Sequence, residues 1–249
     1  MPQVTFRFYA ELNDFLLPAQ RQVAFAATIQ GRPSIKDAVE SLGVPHTEID
    51  LILINGISVD FSHPVNDGDR VSVYPVFEGL DISPQVRLRP LPLREPAFVL
   101  DAHLGRLAVY LRLLGFDSLY RNDYDDKELA EISAAQHRIL LTRDRGLLKR
   151  SLVTHGYCIR STDPRRQVEE VMVRFDLVGG VSPFKRCLRC NGLLELVEKS
   201  DIKDRLLPDT ARYYQEFYHC TSCDQLYWRG SHYKALQKRI LEFINVKRK

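Results

Sequence analysis

Four of the five cysteines stand in two C-x-x-C pairs, Cys187/Cys190 and Cys220/Cys223. A C-x-x-C turn presents two thiolates on one knuckle, and zinc takes four tetrahedral nitrogen or sulfur ligands. The pairs are separated by 29 residues, a length that suits a zinc ribbon whose hairpin folds back to close one site. Two other readings stay open: independent exposed or redox pairs, or a site in which His219 replaces one thiolate. With all four positions filled by protein, the expected Zn²⁺ is structural, because no position is left for a reacting water. The fifth cysteine, Cys158, lies in an apolar run and reads as an inert core residue.

A second constellation is acidic. Asp101 directly follows the apolar run Phe98–Leu100, and Asp144 follows the run Arg138–Thr142 after the single residue Arg143. In open parallel α/β sheets, ligands bind beyond the carboxyl ends of the strands. Two strands would thus deliver carboxylates to one edge, with Asp126 supplying a third from the next helix and Asp123 and Asp125 as its rivals. Carboxylate oxygens with open water positions suit Mg²⁺ or Mn²⁺, which can orient a water for attack on a phosphodiester. The competing reading is local, since aspartate is a favoured helix N-cap and both Asp101 and Asp144 precede helical patterns. Arg106, Arg112, Arg143 and Arg145 stand close by in sequence, either to clamp a phosphate or to neutralise the carboxylates. Near the C-terminus Tyr213, Tyr214, Phe217, Tyr218, Tyr227, Trp228 and Tyr233 are interleaved with Arg212, Arg229 and Lys234. That mixture can stack bases and track a backbone, or simply pack around the metal.

Positioning these groups requires three units. In residues 1–80, Val4, Phe6 and Phe8 alternate with polar residues as a half-buried strand does. A helix is expected over Ser34–Leu42, with Ser34 as its cap and Gly43 as its stop. LILING (Leu51–Gly56) ends in an Asn-Gly turn signal, and Asn66–Asp69 leads into the alternating run Arg70–Val76. Strand, helix, strands and closing strand is the order of a β-grasp, or ubiquitin-like, fold. VTFRFYAEL with INGISVDFSHPVNDGDRVSVYPVF resembles the small sulfur carriers of molybdopterin and thiamine synthesis. Those carriers act through a free Gly-Gly carboxylate, whereas here the chain runs on through Glu78-Gly79-Leu80-Asp81, which leaves a binding or scaffolding role. Residues 81–95 read as a proline-rich linker. Residues 96–178 alternate strand and helix, the pattern of a parallel sheet flanked by helices. Residues 184–249 form the zinc ribbon with a basic C-terminal helix, and Gly179-Gly180 reads as a hinge before it.

FVLDAHLGRLAVYLRLLGFDSLY, NDYDDKELAEIS and RILLTRDRGLLKR resemble the PIN-type nuclease of the Mut-seven C-terminal RNase domain family. The similarity continues through RCLRCNGLL and FYHCTSCDQLYWRGSHY, and the β-grasp unit resembles the ubiquitin-like domain often fused before that nuclease. The resemblance implies a metal-dependent RNase with the family's acidic positions on Asp101, Asp126 and Asp144. PIN nucleases usually carry a fourth acidic residue, for which Asp163 is the candidate.

The expected fold class is therefore α/β and multi-domain: an N-terminal β-grasp, a central PIN-like α/β/α domain with a parallel sheet, and a C-terminal zinc ribbon. No apolar run has the length of a membrane span, and the N-terminus lacks the pattern of a signal peptide. Together with unoxidised C-x-x-C pairs, this points to the cytoplasm. The net charge of +3 conceals a gradient. Residues 1–80 carry 5 Lys/Arg against 10 Asp/Glu, and residues 185–249 carry 14 against 8, so a polyanion would meet the C-terminal end. RNA is the expected partner, contacted by Arg106, Arg112, Arg143, Arg145 and Arg229, with a protein partner possible through the β-grasp unit. The rival functions are a non-catalytic RNA- or ribosome-binding protein, an adaptor working through residues 1–80, and a toxin-like nuclease.

Overall fold

The computed structural model describes residues 1–76, 85, 86, 88 and 95–245. The Glu78–Asp81 continuation, most of the expected linker and the basic tail Lys247–Lys249 lie outside them. Two compact units emerge, each built from two chain segments: Met1–Glu95 with Asp125–Cys158, and Pro96–Tyr124 with Ile159–Lys249.

The first unit opens with a ubiquitin-like sheet. Strand β1 (Gln3–Phe8) buries Val4, Phe6 and Phe8, as its alternation requires. It pairs antiparallel with β2 (Phe25–Thr28), a strand that short, alanine-rich FAAT does not announce in sequence. Helix α1 (Ile35–Ser41) starts where the Ser34 hydroxyl accepts from the Asp37 N–H at 3.2 Å. Strands β3 (Ile49–Ile54) and β4 (Ile57–Ser58) form a hairpin across Asn55 and Gly56, both at positive φ (51° and 87°), as a two-residue primed turn demands. Strand β5 (Arg70–Pro75) closes the sheet in the order β2-β1-β5-β3-β4, parallel to β1 and antiparallel to β3.

The chain then contributes β6 (Ala97–Leu100), α2 (Gly105–Leu113) and β7 (Asp117–Tyr120) to the second unit. It returns to the first with α3 (Asp126–Ala135), β8 (Ile139–Thr142), α4 (Arg145–Leu148) and β9 (Gly156–Cys158). Strands β8 and β9 run parallel, and β8 is buried throughout its length. This returning segment is tied to the ubiquitin-like sheet by polar contacts. Glu48, 1% exposed, accepts from the Cys158 N–H at 2.7 Å. His46 bridges Glu40 (2.7 Å) and the Val153 carbonyl (3.0 Å), while Lys149 Nζ donates to the Glu40 carbonyl. Cys158 is buried, in keeping with a core role.

In the second unit β6 and β7 are parallel. Leu107, Ala108, Leu111 and Leu114, the repeating apolar positions of α2, are fully buried. Helix α2 packs on α5 (Pro164–Arg174), which Asp163 caps by accepting from the N–H groups of Arg165 (2.9 Å) and Arg166 (3.0 Å). Gly179 and Gly180 sit in a 3-10 turn. The C-terminal module consists of β10 (Leu194–Val197), α6 (Pro208–Tyr213), β11 (Phe217–Cys220), β12 (Leu226–Trp228) and α7 (Tyr233–Ile244). Its antiparallel strands run in the order β10-β11-β12 over a small core of Ile202, Phe217 and Leu226. So small a core needs a further cross-link to be stable. Helix α7 packs on α5 and places Phe243 edge-on to Tyr110, with centroids 5.2 Å apart. Among the described residues no helix is long and apolar enough to cross a membrane.

Candidate functional site

The two C-x-x-C turns are built alike. In each, the residue after the second cysteine takes positive φ, Asn191 at 75° and Asp224 at 57°. In each, that residue's N–H also returns to the carbonyl of the first cysteine at 3.0 Å (Asn191 to Cys187, Asp224 to Cys220). Asparagine and aspartate are the side chains that best tolerate this left-handed backbone. The turns aim backbone N–H groups at sulfur: Gly192 donates to Cys190 and Ser222 to Cys220, both at 3.4 Å. Gly192 is required where it stands, since a Cβ there would fall 2.8 Å from the Cys220 sulfur.

All four sulfurs lie within 4.8 Å of one another. Across the two turns Cys187 and Cys223 are 3.6 Å apart, and Cys190 and Cys220 are 3.3 Å apart. A tetrahedral zinc with bonds of about 2.3 Å needs sulfur–sulfur edges of about 3.8 Å, so the quartet fits that ion with small adjustment. His219 is not a member of the set and instead lies 3.7 Å from Asp224.

The protonation pattern is uneven. Burial works to raise the Cys187 thiol, but the Tyr227 hydroxyl at 3.2 Å and the N–H groups of Cys190 and Arg189 outweigh it and hold the group at about 6. Burial pushes Cys190 up to about 12. Cys190 thus retains a proton that a bound cation would displace.

Arg112 supports the first turn. It is 2% exposed, and its guanidinium donates to the carbonyls of Ser118 (2.9 Å), Leu188 (3.2 Å) and Arg189 (3.0 Å). Burial lowers its pKa, and the neighbouring Cys190 and Cys187 oppose that. Arg112 is expected from sequence to contact RNA; here its guanidinium is sealed against solvent by three carbonyls. Its partners lie 76 and 77 residues downstream, beyond any local sequence signal. Asn191 completes the support, accepting from the Ser118 N–H (2.9 Å) and donating to Asp117 (2.8 Å).

The aspartates stand in two units, Asp101 in the second, Asp126 and Asp144 in the first. Asp101 occupies the N-cap position of a 3-10 turn without capping it. Its carboxylate is 14% exposed and lies 3.4 Å from His103 Nδ1. Asp144 does cap α4, accepting from Gly146 at 2.6 Å and Leu147 at 3.4 Å. The acidic run before α3 divides its labour. Asp125 forms a capping box with Glu128, and Asp123 takes a two-pronged bond from Arg121 (2.8 and 2.6 Å). Asp126 is left half-exposed, 3.5 Å from Arg150. Among the described residues, the cysteine quartet is the group of three or more ligand-type side chains whose donor atoms converge within 4.8 Å. Of the arginines, Arg106 and Arg143 are exposed. Arg145 donates to the Phe15 carbonyl at 3.1 Å and lies 4.9 Å from the Phe15 ring centroid. Arg229 lies 3.3 Å from Glu216.

A ubiquitin-like sheet, parallel α/β elements and a four-thiol antiparallel module define a protein of the zinc-ribbon-bearing α/β class. The family model of the Mut7-C RNAse domain matches residues 96–240, and that of the Mut7-C ubiquitin matches residues 1–81. The chain belongs to the Mut7-C RNAse domain family. The crystal structure of SAMP1 from Haloferax volcanii is 17% identical, covering 31% of this chain and 99% of that one, with a TM-score of 0.25. No curated protein matches the chain.

Proposed function

We propose that the protein is a divalent-metal-dependent ribonuclease of PIN type that hydrolyses RNA phosphodiester bonds, with its zinc ribbon helping to hold the RNA. The observation that carries this reading is the RNAse-domain match over residues 96–240, a span that includes Asp101, Asp126 and Asp144. Carboxylates are the right donors for Mg²⁺ or Mn²⁺, which when bound would supply charge to orient a water and stabilise the leaving oxygen. Asp101 supports the reading through its chemistry. It holds a cap position yet does not cap, at the carboxyl end of a parallel strand. Asp126 is a member of its acidic run that does not cap the helix, and its ion pair with Arg150 is half-exposed. Exposed Arg106 and Arg143 are suited to receive phosphate, and Arg145 and Arg229 join them at the cost of giving up their present partners. The nuclease segment is assigned to residues 96–178 and the ribbon to 184–249, with Zn²⁺ on Cys187, Cys190, Cys220 and Cys223. Cysteine pairs kept reduced for a metal suit the cytoplasm.

The test is cleavage of labelled RNA with Mn²⁺ by the wild type, Asp101→Asn and Asp144→Asn. Loss of cleavage in both variants is expected, and equal cleavage by all three overturns the assignment. A second reading, non-catalytic RNA or ribosome binding, is favoured by one observation. The Asp144 carboxylate is already engaged by two amides of its own turn. That reading requires RNA binding indifferent to divalent cations and no turnover.

A further inference from the structure

Beside the thiol quartet the C-terminal module holds a cavity of about 510 Å³ that no role described so far uses. Its wall includes Phe184, Tyr218, Tyr227, Trp228, Arg229 and Tyr233, and no aspartate or glutamate lines it. Large aromatic surface is normally buried in a core, yet Trp228 is left 39% exposed here. The rings are held in place. Phe184 adopts positive φ (62°), an uncommon conformation for a bulky side chain, and stacks on Tyr233 with centroids 4.9 Å apart and planes 28° apart. Gly230 keeps the indole close to the backbone, since a Cβ there would sit 2.8 Å from Trp228 Nε1. Tyr227 is fixed by its hydroxyl, which accepts from the Leu188 N–H at 3.1 Å and bonds the Cys187 sulfur. The Arg229 guanidinium lies over the Tyr233 ring, 5.6 Å from its centroid.

We propose that this cavity seats an unpaired nucleobase of single-stranded RNA, stacked on the Trp228 ring and set against the edge of the Phe184–Tyr233 pair, with the adjoining phosphate at Arg229. Preset aromatic faces are a sequence-tolerant platform, because every base has a π-face. Charge favours a nucleotide over an apolar peptide. A carboxylate-free wall does not repel phosphate, and residues 185–249 carry 14 Lys/Arg against 8 Asp/Glu. The bond that Arg229 now makes to Glu216 is half-exposed on both sides (56% and 41%), so exchanging it for phosphate costs little. A duplex presents its bases already paired and stacked, so it is excluded. The inference deepens the ribonuclease reading and rests on RNA being the substrate, but not on the aspartates.

Trp228 is the single tryptophan of the chain, which makes its fluorescence a reporter of this cavity. The experiment titrates the zinc-loaded full chain, without Mg²⁺ or Mn²⁺, with a short oligoadenylate and with the same strand paired to oligouridylate. Saturable quenching by the single strand and none by the duplex is expected. Tyr233→Ala should weaken single-strand binding by about 10-fold, within the range of one lost base–aromatic contact, and Tyr233→Phe should restore it. Zinc content and circular dichroism unchanged in both variants show that the module is intact. RNA that binds or is cleaved without quenching, and with equal affinity in Tyr233→Ala, overturns the base seat while leaving the ribonuclease reading in place. Quenching without cleavage does the reverse. No binding of either RNA overturns the seat and leaves the groove to a protein partner.

Discussion

The cysteine quartet and the aspartates are both sets of metal-ligand-type side chains, but the fold treats them in opposite ways. The sulfurs have little to bond except one another, a tyrosine hydroxyl and a few backbone N–H groups. Everything around them, from the left-handed Asn191 and Asp224 to the buried Arg112, serves to hold them together. The aspartates instead serve local ends: Asp144 a helix start, Asp126 an arginine, Asp101 a neighbouring histidine. Converged ligands serve an ion whose site must be complete for its module to fold, and side chains with local duties do not. On the proposed reading, dependence on metal therefore falls in folding for the first set and in rate for the second.

Removing metal should separate the two most sharply. One zinc per chain is expected by elemental analysis, and Cys187→Ser or chelation should unfold the C-terminal module. Structural zinc contributes on the order of 10 kcal/mol in small modules. Loss of ellipticity and of dispersed amide resonances from residues 185–245 reports this, and an unchanged spectrum would break the comparison.

Arg112→Leu comes next. Three carbonyls would lose a buried charged donor, a cost of about 3 kcal/mol in denaturant unfolding together with weakened zinc retention. If RNA affinity fell while stability held, Arg112 would belong with the phosphate-binding arginines after all.

The aspartates should respond in rate rather than in stability. Asparagine caps a helix about as well as aspartate does, so Asp144→Asn should leave stability within roughly 0.5 kcal/mol. Its cleavage rate should nonetheless fall by at least about 100-fold, as should that of Asp101→Asn. Asp144→Ala removes the cap as well and should cost about 1 kcal/mol in unfolding.

The smallest effect concerns Asp163. Bonds from the N–H groups of Arg166 and Arg165 outweigh desolvation and hold its carboxyl below the ordinary 3.8. A group whose folded pKa is depressed contributes stability above the unfolded value and loses it as pH falls through the folded one. Its carboxyl resonance should therefore titrate below pH 3.8, and Asp163→Asn should abolish that contribution. A midpoint at or above 3.8 would release Asp163 from capping and return it as a fourth acidic ligand.

Much of this arrangement was readable from local pattern. The C-x-x-C spacing is a local geometric constraint, the Ser34 cap and the Asn55-Gly56 turn depend on adjacent residues, and the alternation in β1 reports its buried face directly. The seam that the sequence hid is long-range. Nothing near Glu48 announces an amide 110 residues away, and nothing near Arg112 announces the carbonyls of the first C-x-x-C turn. Arg112 reads as a surface cation because arginine is usually exposed, and only tertiary packing overrides that default. Strand β2 was missed because FAAT is short and half alanine, with a single β-branched residue, Thr28.

The chain leaves the first unit after Glu95, returns for Asp125–Cys158 and departs again, so neither unit is a continuous stretch of polypeptide. During synthesis at about 5–20 residues per second, α2 is made some seconds before its packing partner α5, whereas β6 and α2 meet β7 within their own segment. The growing chain therefore waits for Pro164–Arg174 before the α5-facing side of α2 is covered. A chain cut cleanly at residue 95 would strand 125–158 without Glu40, His46 and Glu48, the partners on which it rests.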